Sequence, residues 1–129
     1  MRKSLLLWLL PVVDVFAIGR ILAEYRSLGV EVPWEHAKAG LVERWAGYLP
    51  SGLIIGWFAG FWQSFLIVLG LFAVVGPIEF YLMCRGVKPW RFFRGKNRKS
   101  IAKIFLLEGY NTISYYLLGA ALAALVLSF

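Results

Sequence analysis

Four polar side chains stand inside otherwise apolar stretches of this 129-residue chain: Asp14, Glu79, Glu108 and Asn111. A carboxylate in such surroundings can exchange protons, hold a cation or pair with a base on a neighbouring helix. Its cost at depth makes each one a functional candidate. Counted along the helix axes from the basic side, Glu79 and Glu108 lie about 5–10 Å into the hydrocarbon and Asp14 about 14 Å. Asp14 and Arg20 are separated by about 240° of helix rotation, so Asp14 needs a partner on another helix or subunit, or a proton. Lys103 and Arg85 match Glu79 and Glu108 in depth. Glu108, Asn111 and Tyr115 follow i, i+3, i+7 spacing and share one face. No Walker loop, GxSxG, HExxH or GxGxxG occurs. One His and one Cys cannot build a metal site or an internal disulfide. No catalytic set, metal or cofactor is expected.

The elements that must hold these residues follow from composition. The chain is 60% hydrophobic and 16% charged, with a mean hydropathy of +0.71. Soluble domains carry about 25% charged residues. That excludes an ordinary soluble enzyme, a disordered chain and a disulfide framework. The first apolar stretch, about 5–23, reads as a retained span (TM1), because Asp14 interrupts any signal-peptide core and no small-x-small site follows. The segment about 34–49 places Trp34, Leu41, Trp45 and Tyr48 on one face between Pro33 and Pro50, the pattern of an interfacial amphipathic helix. The next stretch, about 53–83 (TM2), is too long for one straight span and too short for two, so it bends, near Gly76-Pro77. A basic loop, 85–103, precedes the last span (TM3), about 104–127. The expected fold is an all-α integral membrane protein, a single membrane domain over 1–129 with three transmembrane helices. Arg2 and Lys3 share the cytoplasmic or matrix side with the 85–103 loop, and the neutral 26–50 segment faces the other way. The membrane is the bacterial or archaeal cytoplasmic membrane or the mitochondrial inner membrane.

Two small-residue faces suggest close helix packing. One is Gly52, Gly56 and Gly60, continued by Ser64; the other is Gly119 with Ala123 and Ala120 with Ala124. The glycine repeat is similar to the GxxxG repeats of small dimer-forming subunits of mitochondrial ATP synthase. That likeness implies packing against other membrane subunits or self-association, and a groove filled by one of the chain's own helices is the equal alternative. Lys88, Trp90, Arg91, Arg94, Lys96, Arg98 and Lys99 interleave bases with an aromatic ring beside the membrane, a pattern suited to cardiolipin or another anionic phospholipid. Nucleic acid is not expected, since the loop is tied to the bilayer at both ends. The fragment Glu108-x-x-Asn111 in a three-span chain resembles bacterial diacylglycerol kinase and would imply a lipid-modifying enzyme. That family has a second acid four residues after the Asn to help hold its metal, where this chain has Tyr115. The leading expectation is a small non-catalytic subunit or accessory factor of a larger complex, such as a respiratory or ATP synthase assembly. The alternative is an oligomeric transporter or channel component using the intramembrane carboxylates. A complete proton or ion path is not visible, because Leu117–Leu127 carries no polar side chain.

Overall fold

The computed structural model describes residues 4–129; Met1–Lys3, and with them Arg2 and Lys3, lie outside the described residues. The elements in chain order are α1 (Leu5–Trp8), α2 (Val13–Ser27), α3 (Trp34–Glu43), a π-helical turn (Arg44–Tyr48), α4 (Leu49–Ala59), α5 (Phe61–Arg85), a 3-10 turn (Arg91–Phe93) and α6 (Arg98–Ser128). Among the described residues there is no strand. Two helices, α5 with 25 residues and α6 with 31, are long and apolar enough to cross a bilayer. Only 11% and 28% of their most apolar stretches is buried. Side chains such as Leu66, Val74, Ile78 and Leu125 therefore point away from the fold, which suits a lipid environment better than a soluble core.

The axis of the fold is α6. Its neighbour α5 runs antiparallel to it, since Phe72 lies over Gly109 and Phe105 lies over Gly76 further along. By the same test α4 runs parallel to α6: Gly52 backs onto Tyr116 and Gly56 onto Ala120. So α4 and α5 form a hairpin, and Gly60 is its corner, with φ 83° and ψ 167°. A side chain at that φ would be strained, which is why the chain turns at a glycine.

Several sequence expectations change here. The first stretch, 5–23, is not one helix. It breaks over Leu9–Val12, where Pro11 disfavours helical geometry at Leu10 and Val12 takes a φ of 73°. The Arg20 guanidinium sits 5.6 Å from the centre of the Trp8 ring. In one straight helix these residues would be about 18 Å apart along the axis, so α1 folds back beside α2. The turn between them meets α6 at Asn111 and Tyr115, roughly its midpoint.

The interfacial helix expected at 34–49 and the span expected from 53 are not separate elements. Helical backbone runs unbroken from Trp34 to Ala59, with the π turn in the middle. Pro50 explains the turn: proline lacks an N–H and its ring crowds the carbonyl four residues back, and the wider π turn just before it makes room. The 53–83 stretch divides at Gly60, while Pro77 lies inside an α5 that continues to Arg85. Finally, the start of the 26–50 segment does not face away from the basic loop. The His36 and Phe92 rings are 4.8 Å apart, and Val30 and Val32 share a buried core with Phe93, Ile101 and Ile104. Both loops close the same end of the bundle.

Candidate functional site

Asp14 opens α2 immediately after the Leu9–Val12 turn, and its side chain is 1% exposed. The Tyr115 hydroxyl donates to one carboxylate oxygen at 2.5 Å. Asn111 Nδ2 and Arg44 Nε donate to the other, each at 3.2 Å. Asn111 Nδ2 also donates to the Leu9 carbonyl at 2.6 Å, and the Val12 N–H donates to the Tyr115 hydroxyl at 3.3 Å. Four side chains thus tie the N-terminal turn, the π turn and the middle of α6 together. Position at the head of α2 adds a favourable helix-dipole interaction for the carboxylate. The Trp45 ring meets Tyr115 edge-on at 5.7 Å, and the Arg44 guanidinium lies 5.9 Å from the centre of the same Tyr115 ring. The carboxylate is buried and receives three donors, while the Arg44 side chain stays 17% exposed, so the pair loses less hydration than a fully buried one would.

Between this network and the basic-loop end is a cavity of about 430 Å³. Its walls carry Asp14, Glu43, Glu79 and Glu108 against one base, Arg44, with His36, Tyr48, Asn111 and Thr112 among the polar neighbours. Glu43 accepts a hydrogen bond from the Tyr48 hydroxyl at 2.8 Å. Glu79 and Glu108 have no hydrogen bond or ion pair among the described residues. Lys103 is exposed, and Arg85 donates instead to the Tyr81 hydroxyl at 3.3 Å. His36, at the loop end, has its pKa lowered from the ordinary value by burial, so near neutral pH it adds no positive charge. The cavity wall is therefore acidic on balance, and its volume is that of a small-molecule pocket.

The basic loop borders one end of the cavity, where Pro89 and Trp90 line it. Phe93 is buried and anchors the loop, while Lys88, Arg91, Arg94, Lys96, Arg98 and Lys99 are exposed and Trp90 is half-buried. Arg94 Nε donates to the Gly86 carbonyl at 2.9 Å, which closes the loop onto the end of α5.

The small-residue positions lie at the other end of the bundle. Gly52, Gly56, Gly119, Ala120 and Ala123 are buried and Ala124 is half-buried. A Cβ on Gly52 would run into the Tyr116 carbonyl, and one on Gly119 into the Leu49 carbonyl. A Cβ on Gly56 would lie 2.6 Å from the Ala120 Cα. The two faces fill one another within the chain. Gly60 makes the corner, and the buried Ser64 donates its hydroxyl to the Gly60 carbonyl at 2.6 Å.

No protein-family model, no curated protein and no solved structure matches this chain. Function must be read from the cavity itself. Of its polar residues, Asp14, Glu79, Glu108 and Asn111 stood out in sequence, while Arg44, Glu43 and His36 did not. A signal for Arg44 was present: Asp14 requires a base at depth, and Arg44 is the one base between Lys38 and Arg85.

Proposed function

We propose that this chain is a non-catalytic integral membrane protein that binds an organic cation in the acidic cavity between α2, the Trp34–Ala59 run, α5 and α6. The observation that carries the reading is the pair of carboxylates, Glu79 and Glu108, facing a 430 Å³ cavity with no protein base bound to them. Shielded from bulk water, the two carboxylates attract a cation more strongly than they would in solution, and a bound cation in turn favours their ionised form. A dispersed organic cation suits the arrangement better than a metal ion, since no group of three or more ligating side chains is assembled among the described residues.

In this reading α5, α6 and the Trp34–Ala59 run cross the bilayer, with the first turns of α3 and His36 emerging at the basic-loop end. The 26 residues of that run measure about 39 Å, more than the hydrocarbon requires. The N-terminal hairpin enters only halfway and delivers Asp14 to the midplane. The exposed bases of the loop rest on acidic lipid headgroups, each contributing about 1 kcal/mol.

Translocation requires a further membrane subunit. Beyond Thr112 the cavity has no polar lining on α6, and close α4–α6 packing fills the far half. In this reading the chain serves a transport assembly in a supporting role, and its glycine faces pack within the chain rather than against that partner.

Binding of ethidium, a fluorescent organic cation, to the protein in phosphatidylcholine nanodiscs tests the reading. Saturable binding is expected, weakened at least about tenfold by Glu79→Gln with Glu108→Gln. An unaltered affinity in that double variant, or no saturable binding by the wild type, overturns it.

A further inference from the structure

The acidic cavity has a neighbour. On the outer surface between α5 and α6 lies an apolar groove of about 410 Å³, walled by Ala73, Gly76, Pro77 and Ala102 and bounded by Phe72 and Phe105. The same two phenylalanines line the acidic cavity. Their rings stack with centroids 5.5 Å apart and an interplanar angle of 16°. A side chain on either neighbouring glycine would disturb them: a Cβ at Gly109 would lie 2.5 Å from the Phe72 ring, and one at Gly76 3.2 Å from the Phe105 ring. The partition between a polar cavity and a lipid-facing groove is therefore two aromatic side chains seated over glycines.

Charge decides the route in. The basic-loop end of the cavity, where Pro89 and Trp90 line it, carries exposed bases, with Lys88 and Arg91 the immediate chain neighbours. That positive field repels a cation arriving from solution, while the carboxylates inside attract one. A ligand that approaches through the bilayer avoids the bases and meets the groove first.

We propose that Phe72 and Phe105 form a lateral gate for a single-chain amphiphile with an ammonium headgroup, the headgroup facing Glu79 and Glu108 and the chain lying in the groove over Gly76. The inference rests on the cation-binding reading of the cavity and adds the substrate class and the entry path. An anionic lipid is disfavoured at the same place, because its headgroup would meet unpaired carboxylates.

The test compares dodecyltrimethylammonium with tetramethylammonium on the protein in phosphatidylcholine nanodiscs, with uptake by protein-free discs subtracted. The long-chain cation is expected to bind at least about tenfold more tightly. Ala73→Phe fills the groove, and Ala73 does not touch the cavity. The substitution is expected to erase the chain-length advantage and leave tetramethylammonium binding as it was. Ala102→Leu, on the opposite wall, is the second variant should Ala73→Phe not fold. If both groove variants keep the full advantage of the long chain, the lateral gate is overturned while the cation site stands. If Glu79→Gln with Glu108→Gln changes neither probe, the cation site itself is wrong and the gate falls with it.

Discussion

The two halves of α6 solve the same packing problem by opposite means. From Arg98 to Tyr115 the helix meets its neighbours through long and polar side chains, and a cavity remains between them. From Tyr116 onward it meets α4 with Gly119, Ala120 and Ala123, backbone nearly against backbone. In lipid there is no hydrophobic drive to bring apolar helices together, so close contact must come from shape. The far half achieves shape by deleting side chains. The basic-loop half joins a buried apolar cluster to hydrogen bonds on one buried carboxylate and leaves an unfilled space. One end is a clamp, and the other holds a cavity.

The largest effect is expected from breaking the clamp. Gly52→Leu forces a side chain into the Tyr116 carbonyl, and backbone cannot yield as a flexible side chain would. The loss should exceed about 3 kcal/mol, the upper range for overpacking, and abolish the folded peak in detergent gel filtration. Gly47→Ala, where a Cβ meets nothing within 4 Å, should leave that peak intact. Equal behaviour of the two variants would refute the packing contrast. The network in the other half should give a smaller loss. Asp14→Ala removes the acceptor shared by Arg44, Asn111 and Tyr115. Unpairing a buried ion pair costs about 3–5 kcal/mol, but the Arg44 side chain is 17% exposed, so about 2 kcal/mol is expected. Adding Arg44→Met should recover part of it, read as a rise in the melting temperature of the double variant over Asp14→Ala. A double variant no better than the single would mean that Arg44 does not depend on Asp14.

The parts legible in sequence were those set by local hydropathy: two long apolar helices and a basic loop between them. Asp14 was legible as a buried charge in need of a partner, because six residues of helix rotate Arg20 away from it. Its partner was not, since Arg44 lies in a segment whose mixed charges and aromatics resemble a surface helix. That segment keeps Glu35 and Lys38 exposed but turns His36, Glu43 and Arg44 toward the cavity it shares with α2, α5 and α6. Pro11 was a local signal for a break in the first stretch, outweighed there by unbroken hydropathy. Pro50 carried the opposite lesson: it reads as a stop, and a π turn carries the helix past it. The register that sets Gly52 against Tyr116 depends on the corner at Gly60, and no local pattern distinguishes a corner glycine from the two packing glycines before it at the same spacing.

The smallest effect concerns the joint through which the N-terminal hairpin enters the polar half. Val12 holds φ at 73° and ψ at −47°, a region that costs a non-glycine residue about 1–3 kcal/mol. Its N–H is held by Tyr115, whose hydroxyl is in turn committed to Asp14. The network therefore keeps the backbone in a conformation the residue alone would leave. Val12→Gly removes the steric cost but frees the unfolded chain, and the Val12 side chain is exposed, so little packing is lost. The net change should be a stabilisation of up to about 1 kcal/mol, seen as a higher melting temperature. The same substitution placed in Asp14→Ala should give less, because without the carboxylate the turn has no reason to stay strained. A loss of stability in the Val12→Gly variant would show that the turn is not under strain, and that α1 folds back for reasons other than the Asp14 network.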